Sequence, residues 1–278
     1  MKTVGFIDYY LDEWHANNYP EMIKKRSGGE FEVKYAYAKT EPTLPDRISN
    51  AEWSKKYDIS LVDSIAELIN LCDCIVVLSP DNPEMHYELS QEALKSGKPV
   101  YIDKTFAENR GEALKIFEIA EKYNTPCYSS SALRFSAKLK DIERKDINTV
   151  ISVAGGPVEI YLIHQLEPIA TLMGTEVDKV MFIGNDSVAA WTLHFCDGRT
   201  AEIHILKGDF DFCLHIGRKE NNQRVILDDD FFLGFTDSLI NFFKTGEIPV
   251  SHKDTANIMG LLENCFAAMD KSGDWIYI

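Results

Sequence analysis

The sequence contains no continuous apolar run of the roughly 18 residues that a membrane-spanning helix needs. The first residues, MKTVGFIDYY, reach Asp8 before any long apolar core, so they do not resemble a secretory signal peptide. Basic residues are scarce as well, since 29 lysines and arginines against 44 aspartates and glutamates leave a net charge of −15. An acidic surface repels phosphate backbones and anionic lipids, so we expect neither nucleic acid nor membranes as partners.

The six cysteines are not spaced for a structural metal site. Cys72 and Cys74 form only a C-x-C pair, with no second pair at zinc-finger spacing. Most of the cysteines lie in apolar stretches, where a free thiol behaves as a small hydrophobic group. We therefore predict a reduced, cytoplasmic protein that binds no metal.

The composition is that of a globular protein, with 45% hydrophobic and 26% charged residues. Its 278 residues correspond to one large domain or two ordinary ones at roughly 150 residues each. Strand-like and helix-like segments alternate over residues 1–130, which predicts an α/β fold with a Rossmann-type, doubly wound parallel sheet. Within it, Pro20 predicts a helix start, and Asn82 is a candidate cap for another helix.

Strand patterns follow one another directly after residue 134, so the second part is predicted as α+β with an open, largely antiparallel sheet. Asp197-Gly198 is typical of a two-residue hairpin loop, and in that register His194 and His204 lie on opposite faces. The predicted domains are a nucleotide-binding-type domain over 1–130, a substrate and oligomerisation domain over 131–234 and a helical segment over 235–278 that packs back on the chain. The alternating apolar residues of the second sheet predict contact with another subunit in a homodimer or larger homo-oligomer, through Trp191, Leu193 and Phe195.

Residues 71–107 carry a specific motif: an apolar strand, a Pro-x-Asn turn, a histidine four residues after the Asn, a helix ending in Gly-Lys, and a strand leading to a lysine. The positions are Pro80, Asn82, His86, Gly97-Lys98 and Asp103-Lys104-Thr105. This motif resembles the signature region of the Gfo/Idh/MocA family (glucose-fructose oxidoreductase, inositol dehydrogenase and MocA). Segments 118–135, 163–174 and 241–278 are also similar to that family, so the resemblance covers nearly the whole chain.

The resemblance implies an NAD(P)-dependent oxidoreductase that acts on a sugar, a polyol or a related hydroxyl compound. It implies that Lys104 is catalytic and hydrogen-bonds the substrate hydroxyl, and that His164 accepts a proton. The predicted cofactor-binding residues are Asp8, Tyr9, Tyr10, Lys39, Ser79, Pro80, Asn82, His86 and Asp103. The predicted substrate-binding residues are Trp14, His15, Arg134 and Glu167. Lys39 follows the second strand, where a basic residue favours NADP over NAD.

Three parts of the chain depart from the family pattern, of which the mildest is that Asp103 and Thr105 stand in place of Glu and Pro around Lys104. The first turn reads Asp8-Tyr9-Tyr10-Leu11-Asp12-Glu13, where the family has the glycine-rich G-x-G-x-x-G loop that cradles a diphosphate. Ile160 stands where the family has an aspartate four residues before its histidine. A second interpretation therefore stays open, in which the protein is a non-catalytic relative that has lost dinucleotide binding and binds a sugar-like ligand or a protein partner.

Overall fold

A computed structural model describes residues 1–278 and divides the chain into two compact units. The first unit consists of Met1–Glu108, Glu112–Ser130 and Thr236–His252, and the second of Asn109–Gly111, Ser131–Phe235 and Lys253–Ile278. The C-terminal part of the chain thus contributes to both units. None of the helices has the length and apolar content needed to cross a membrane.

The first unit is built on a parallel sheet. Its strands are β1 (Lys2–Asp8), β2 (Phe31–Ala38), β3 (Ser60–Leu61), β4 (Cys74–Val77), β5 (Val100–Ile102) and β6 (Cys127–Tyr128). They lie in the order β3-β2-β1-β4-β5-β6, and every neighbouring pair is parallel. The helices between them are α1 (Trp14–Arg26), α2 (Asn50–Tyr57), α3 (Ile65–Leu71), α4 (His86–Ser90) and α5 (Arg110–Lys122). This is the predicted doubly wound fold, in which central strands such as β4 are apolar and fully buried.

The second unit is built on a seven-stranded mixed sheet. Its strands are β7 (Ile147–Gly155), β8 (Val177–Asn185), β9 (Val188–Phe195), β10 (Thr200–Leu206), β11 (Cys213–Arg218), β12 (Asn222–Ile226) and β13 (Trp275–Tyr277). Their order is β12-β11-β7-β10-β9-β8-β13, and only the β7–β10 pair is parallel, so the predicted largely antiparallel sheet is confirmed. The remaining helices of the chain are α6 (Ala137–Lys140), α7 (Val158–Met173), α8 (Phe231–Thr245) and α9 (His252–Met269).

The β9–β10 hairpin differs from its predicted register. The Phe195 amide donates to the Arg199 carbonyl at 2.9 Å, so the loop has three residues instead of two. Gly198 adopts a φ of 88° within the loop, as three-residue hairpins with a left-handed glycine do. His194 therefore lies opposite Thr200, and His204 lies on the same face as His194. The prediction of opposite faces was wrong, but no group of His, Cys, Asp and Glu residues in the chain is arranged to hold a metal.

The apolar residues of β9 also have a different role from the predicted one. Trp191, Leu193 and Phe195 are almost completely buried, and the Trp191 indole N–H donates to the Cys265 carbonyl in α9 at 2.8 Å. These side chains fill the core of their own unit, so the prediction that they contact another subunit was wrong. The predicted homo-oligomer stays a prediction, which light scattering of the purified protein can test.

One predicted helix start and one predicted helix cap were also wrong. Helix α1 begins at Trp14, and Pro20 lies inside it, because the Glu13 side chain caps the helix earlier than the proline pattern indicated. Asn82 makes no capping bond, and its side-chain amide instead donates to Glu84 at 3.0 Å. The segment after Asn82 forms short 3₁₀ turns around α4 instead of one continuous helix.

Candidate functional site

Several polar residues meet at the carboxyl edge of the first unit's sheet. Asp8 ends β1, Ser79 follows β4, and Asp103 and Lys104 follow β5. Because neighbouring parallel strands end at the same edge, the topology brings these side chains together. All four are buried, with Asp8 only 1% and Lys104 8% exposed. Ligands bind at this edge in open α/β sheets, so it is the first candidate site.

Asp8 has one carboxyl oxygen that no group in the chain satisfies. Its Oδ1 accepts hydrogen bonds from the Tyr9 amide at 2.7 Å and the Ser79 amide at 3.0 Å. Its Oδ2 is buried and has no hydrogen-bond partner. Burial and the nearby charge of Glu13 raise the pKa of Asp8 well above its ordinary value, although the two amides lower it. The environment thus favours a neutral carboxyl group.

Lys104, Asp103 and His15 form a charged group at the same edge. The Nζ atom of Lys104 lies 3.5 Å from Asp103 Oδ2, and His15 Nε2 lies 4.0 Å from the same oxygen. Burial would raise the pKa of Asp103, but His15, Lys104 and His86 together hold it below its ordinary value. Burial would lower the pKa of His15, but Asp103 and Glu13 together raise it. The Asp103 carboxylate thus lies between the Lys104 ammonium group and an imidazole whose protonated form it favours.

Glu13 caps the start of α1. Its Oε2 accepts from the His15 amide at 2.6 Å, and its Oε1 accepts from the Ala16 amide. The same Oε2 lies 3.0 Å from His15 Nδ1, and the side chain is buried. Backbone amides at a helix start are the groups that bind phosphate in dinucleotide-binding folds. Here two of these amides already bond to the protein's own carboxylate.

The rest of the first turn is also tied down by side chains. The Tyr10 hydroxyl donates to Asp81 at 2.5 Å, and Tyr9 is partly buried beside the Tyr10 ring. Asp12 accepts from the Asn17 side-chain amide at 3.0 Å and from a backbone amide at 2.9 Å. Trp14 is 46% exposed, and its ring contacts His15 edge-on. The turn is thus filled with buried side chains where a glycine loop leaves space.

The remaining predicted cofactor-binding residues contact their own unit. Lys39 pairs with Glu88. The Ser79 hydroxyl donates to the Asn82 carbonyl at 2.8 Å, and Ser79 has a φ of 71° just before Pro80. His86 is fully buried, with Nδ1 2.9 Å from the Thr105 carbonyl and Nε2 against the Leu78 carbonyl.

The contacts of His86 connect the residues that follow β4 to those that follow β5. It therefore positions the segment that carries Lys104.

A second cluster lies in the second unit, around α7. Ser131 Oγ lies 2.7 Å from His164 Nδ1, and the Ser131 amide donates to Glu167 Oε1 at 3.0 Å. Arg134 Nε donates to Glu167 Oε2 at 2.5 Å, while Arg134 Nη2 is buried without a partner. Ile160, at the position of the family's aspartate, is 49% exposed. The structure thus brings His164, Glu167 and Arg134 together.

Lys104 belongs to the first unit and His164 to the second. The joint action of these two residues stays a prediction. Sequence reasoning missed Ser131 and Asp81 as contacts and did not identify Glu13 as a cap. The signal for Glu13 was an acidic residue directly before a helix, but Pro20 pointed to a later helix start.

Comparison with known proteins agrees with this fold. The NAD-binding Rossmann fold of the Gfo/Idh/MocA oxidoreductase family matches residues 38–130. An uncharacterized oxidoreductase of Schizosaccharomyces pombe is 32% identical over 111 residues, which span 38% of this chain and only 27% of that protein.

Solved structures match over the whole chain at low sequence identity. GenD2 from gentamicin A biosynthesis, in complex with NAD, has a TM-score of 0.81 at 9% identity and covers 100% of this chain and 96% of its own. The myo-inositol 2-dehydrogenase of Lactobacillus plantarum has a TM-score of 0.77 at 13% identity, with coverage of 100% and 99%. The scyllo-inositol dehydrogenase of Lactobacillus casei, solved with NAD(H) and scyllo-inositol, has a TM-score of 0.76 at 12% identity, with coverage of 99% and 98%. The match over residues 38–130 and the shared two-sheet fold make the chain similar to the Gfo/Idh/MocA oxidoreductases.

Proposed function

We propose that the protein is an oxidoreductase that acts on a sugar, a polyol or a related hydroxyl compound. The observation that carries this proposal is Lys104, whose ammonium group is buried beside Asp103 at the end of β5. A buried lysine there can donate a hydrogen bond to a substrate hydroxyl and stabilise the alkoxide that forms when the hydroxyl loses its proton. Asp103 keeps this ammonium group oriented.

His164 is the proposed proton acceptor. An imidazole titrates near neutral pH, and the contact of Nδ1 with Ser131 Oγ orients the ring. Glu167 uses one carboxylate oxygen for the Ser131 amide and the other for Arg134. Glu167 therefore positions Arg134, and the buried Nη2 of Arg134 is suited to donate to a ligand oxygen.

Two of the matched solved structures and the side chains of the first turn support a polyhydroxyl substrate. One matched structure contains scyllo-inositol, and another comes from the biosynthesis of gentamicin A. The exposed ring of Trp14 beside the imidazole of His15 offers an apolar face with adjacent polar groups, which suits the mixed surface of a sugar.

NAD or NADP is the cofactor that the family implies, and it would supply hydride chemistry when bound. The first turn does not fit a dinucleotide diphosphate in its usual pose, because Glu13 already accepts from the His15 and Ala16 amides. The orphaned Oδ2 of Asp8 also lies at this edge. Lys39, proposed to favour NADP, would first have to leave its partner Glu88.

The second candidate function is that of a relative that binds a sugar-like ligand, or a protein partner, without a dinucleotide. The contact between Glu13 and the start of α1 favours it, because the groups that usually hold the diphosphate are engaged.

One titration separates the two candidates. We would follow nicotinamide fluorescence and the melting temperature of the full chain with NADH and NADPH, and then screen sugars and polyols. Micromolar dinucleotide binding with polyol turnover that Lys104→Met abolishes would support the oxidoreductase. A polyol-induced rise in melting temperature without dinucleotide binding at millimolar levels would support the second candidate. A protein that responds to neither class of ligand would contradict both.

A further inference from the structure

We propose that Glu13 takes the place of the dinucleotide diphosphate at the start of α1, so that this edge of the sheet excludes phosphate ligands and accepts an uncharged, hydroxyl-bearing one. The inference rests on the second candidate of the proposed function, in which a ligand binds at this edge without a dinucleotide, and it does not require turnover.

The backbone amides at the start of α1 are already occupied by Glu13. A diphosphate is bound at a helix start mainly by backbone N–H groups that lack a partner within the helix. The Glu13 carboxylate accepts from two such groups, those of His15 and Ala16, with one oxygen on each. A phosphate group would have to displace a carboxylate of the same charge sign from the same donors.

Glu13 is also held in place by its surroundings. Its side chain is only 2% exposed, and its Oε2 also lies 3.0 Å from His15 Nδ1. The neighbouring charges of Asp103 and Glu13 favour the protonated imidazole of His15. Displacing Glu13 would separate its buried carboxylate from the imidazole and the two amides that it contacts, which is unfavourable.

Asp8 points to an uncharged ligand independently of the helix start. Its Oδ2 is buried at the end of β1 with no partner in the chain, at the edge where a ligand would sit. Burial and the charge of Glu13 favour the neutral carboxyl group. A neutral carboxyl can donate to or accept from a hydroxyl, so Asp8 fits an alcohol group of a ligand.

The charged side chains at this edge of the sheet compensate one another. Two cationic groups, His15 and Lys104, lie beside two carboxylates, Asp103 and Glu13. The cations are therefore compensated by the protein itself, and this edge offers no net positive charge to a diphosphate. An uncharged ligand does not need such charge.

The test compares the full-length protein with Glu13→Gly, Glu13→Gln and Glu21→Gln by isothermal titration with ADP-ribose and with NADH at one salt concentration. Glu13→Gly frees both amides, whereas Glu13→Gln removes only the charge and keeps an oxygen that can cap the helix. Glu21→Gln is the matched control, because Glu21 is exposed on the same helix. Melting temperatures establish that each variant is folded.

We expect no saturable binding to the unchanged protein below about 1 mM, a gain of about tenfold or more for Glu13→Gly, and a smaller gain for Glu13→Gln. Glu21→Gln should behave like the unchanged protein. If Glu13→Gly does not fold, Glu13→Gln decides, and the absence of any gain there overturns the proposal. Micromolar binding by the unchanged protein, or equal gains in all three variants, would also overturn it.

The two proposals fail separately in these experiments. If the Glu13 variants gain ADP-ribose affinity while no sugar or polyol changes the melting temperature, the proposed function is contradicted and the role of Glu13 stands. If polyol turnover occurs with tight NADH binding by the unchanged protein, the role of Glu13 is contradicted and the oxidoreductase stands.

Discussion

The Nζ atom of Lys104 lies 3.5 Å from Oδ2 of Asp103, and both side chains are buried where β5 ends. The family motif that the sequence resembles has a glutamate at the position of Asp103. The aspartate has a shorter side chain but still reaches the lysine from the neighbouring position. The Asp103 carboxylate also lies near His15, which belongs to the remodelled first turn. This turn and Lys104 therefore meet at the Asp103 carboxylate.

Lys104→Met should abolish any turnover of a sugar or polyol, because the methionine cannot donate to the substrate hydroxyl. The variant should also raise the pKa of Asp103, since one of the cations that lower it is lost. Lys115→Met, at an exposed position of α5, is the matched control. Steady-state rates and melting temperatures of both variants check this prediction, and undiminished turnover by a folded Lys104→Met protein would remove Lys104 from the mechanism.

His15 should make stability fall as pH rises above its ordinary pKa of 6.5. Its folded-state pKa is raised above the ordinary 6.5, because Asp103 and Glu13 outweigh the lowering effect of burial. A raised pKa contributes stability that is complete below the unfolded-state value and is lost as pH rises through the folded-state value. Chemical unfolding between about pH 6 and pH 9 should therefore show a loss of stability that His15→Gln lacks. An identical pH dependence in the two proteins would contradict a charged His15.

Asp8→Asn should stabilise the protein at neutral pH. The raised pKa of Asp8 means that ionisation of this buried carboxyl is unfavourable, and a neutral amide of similar shape avoids that cost. The asparagine oxygen can still accept from the Tyr9 and Ser79 amides. We expect a gain of about 1–2 kcal/mol in the free energy of unfolding at pH 7, which shrinks as pH falls because Asp8 then becomes protonated. A less stable variant at pH 7 would show that the Asp8 carboxylate is favourable where it lies.

Glu167→Gln and Arg134→Gln should interact in a double-mutant cycle. Glu167 is buried and accepts from both Arg134 and the Ser131 amide, so either single change leaves a charged group without its partner. We expect each single variant to lose about 2–4 kcal/mol in the free energy of unfolding and the double variant to lose less than the sum. Urea unfolding of the unchanged protein, the two single variants and the double variant measures these free energies. Strictly additive losses would mean that the pair does not interact.

The alternation of strands and helices over 1–130 and the run of strands after residue 134 were sufficient to predict the two kinds of sheet. Both patterns depend on periodicity and turn residues, which act over a few positions of the chain. The motif around His86 and Lys104 was equally local, and it located the end of β5 as a candidate site. The local signals failed where a side chain decided the outcome: Glu13 caps α1 ahead of Pro20, and Gly198 closes a three-residue loop that shifts the register of His194.

Contacts between residues that are distant along the chain became apparent only in the tertiary structure. Tyr10 reaches Asp81, Ser131 reaches His164, and Trp191 reaches the backbone of α9. These pairs lie far apart in the chain, and nothing in the local pattern of either partner specifies the other. The order of the strands and the packing of the helices bring them together, and burial then determines their hydrogen bonds and charges. Local sequence patterns were enough to predict the class of fold and to single out Lys104. The occupation of the start of α1 by a carboxylate of the protein was not predictable in this way, because that contact depends on where the folded chain places Glu13.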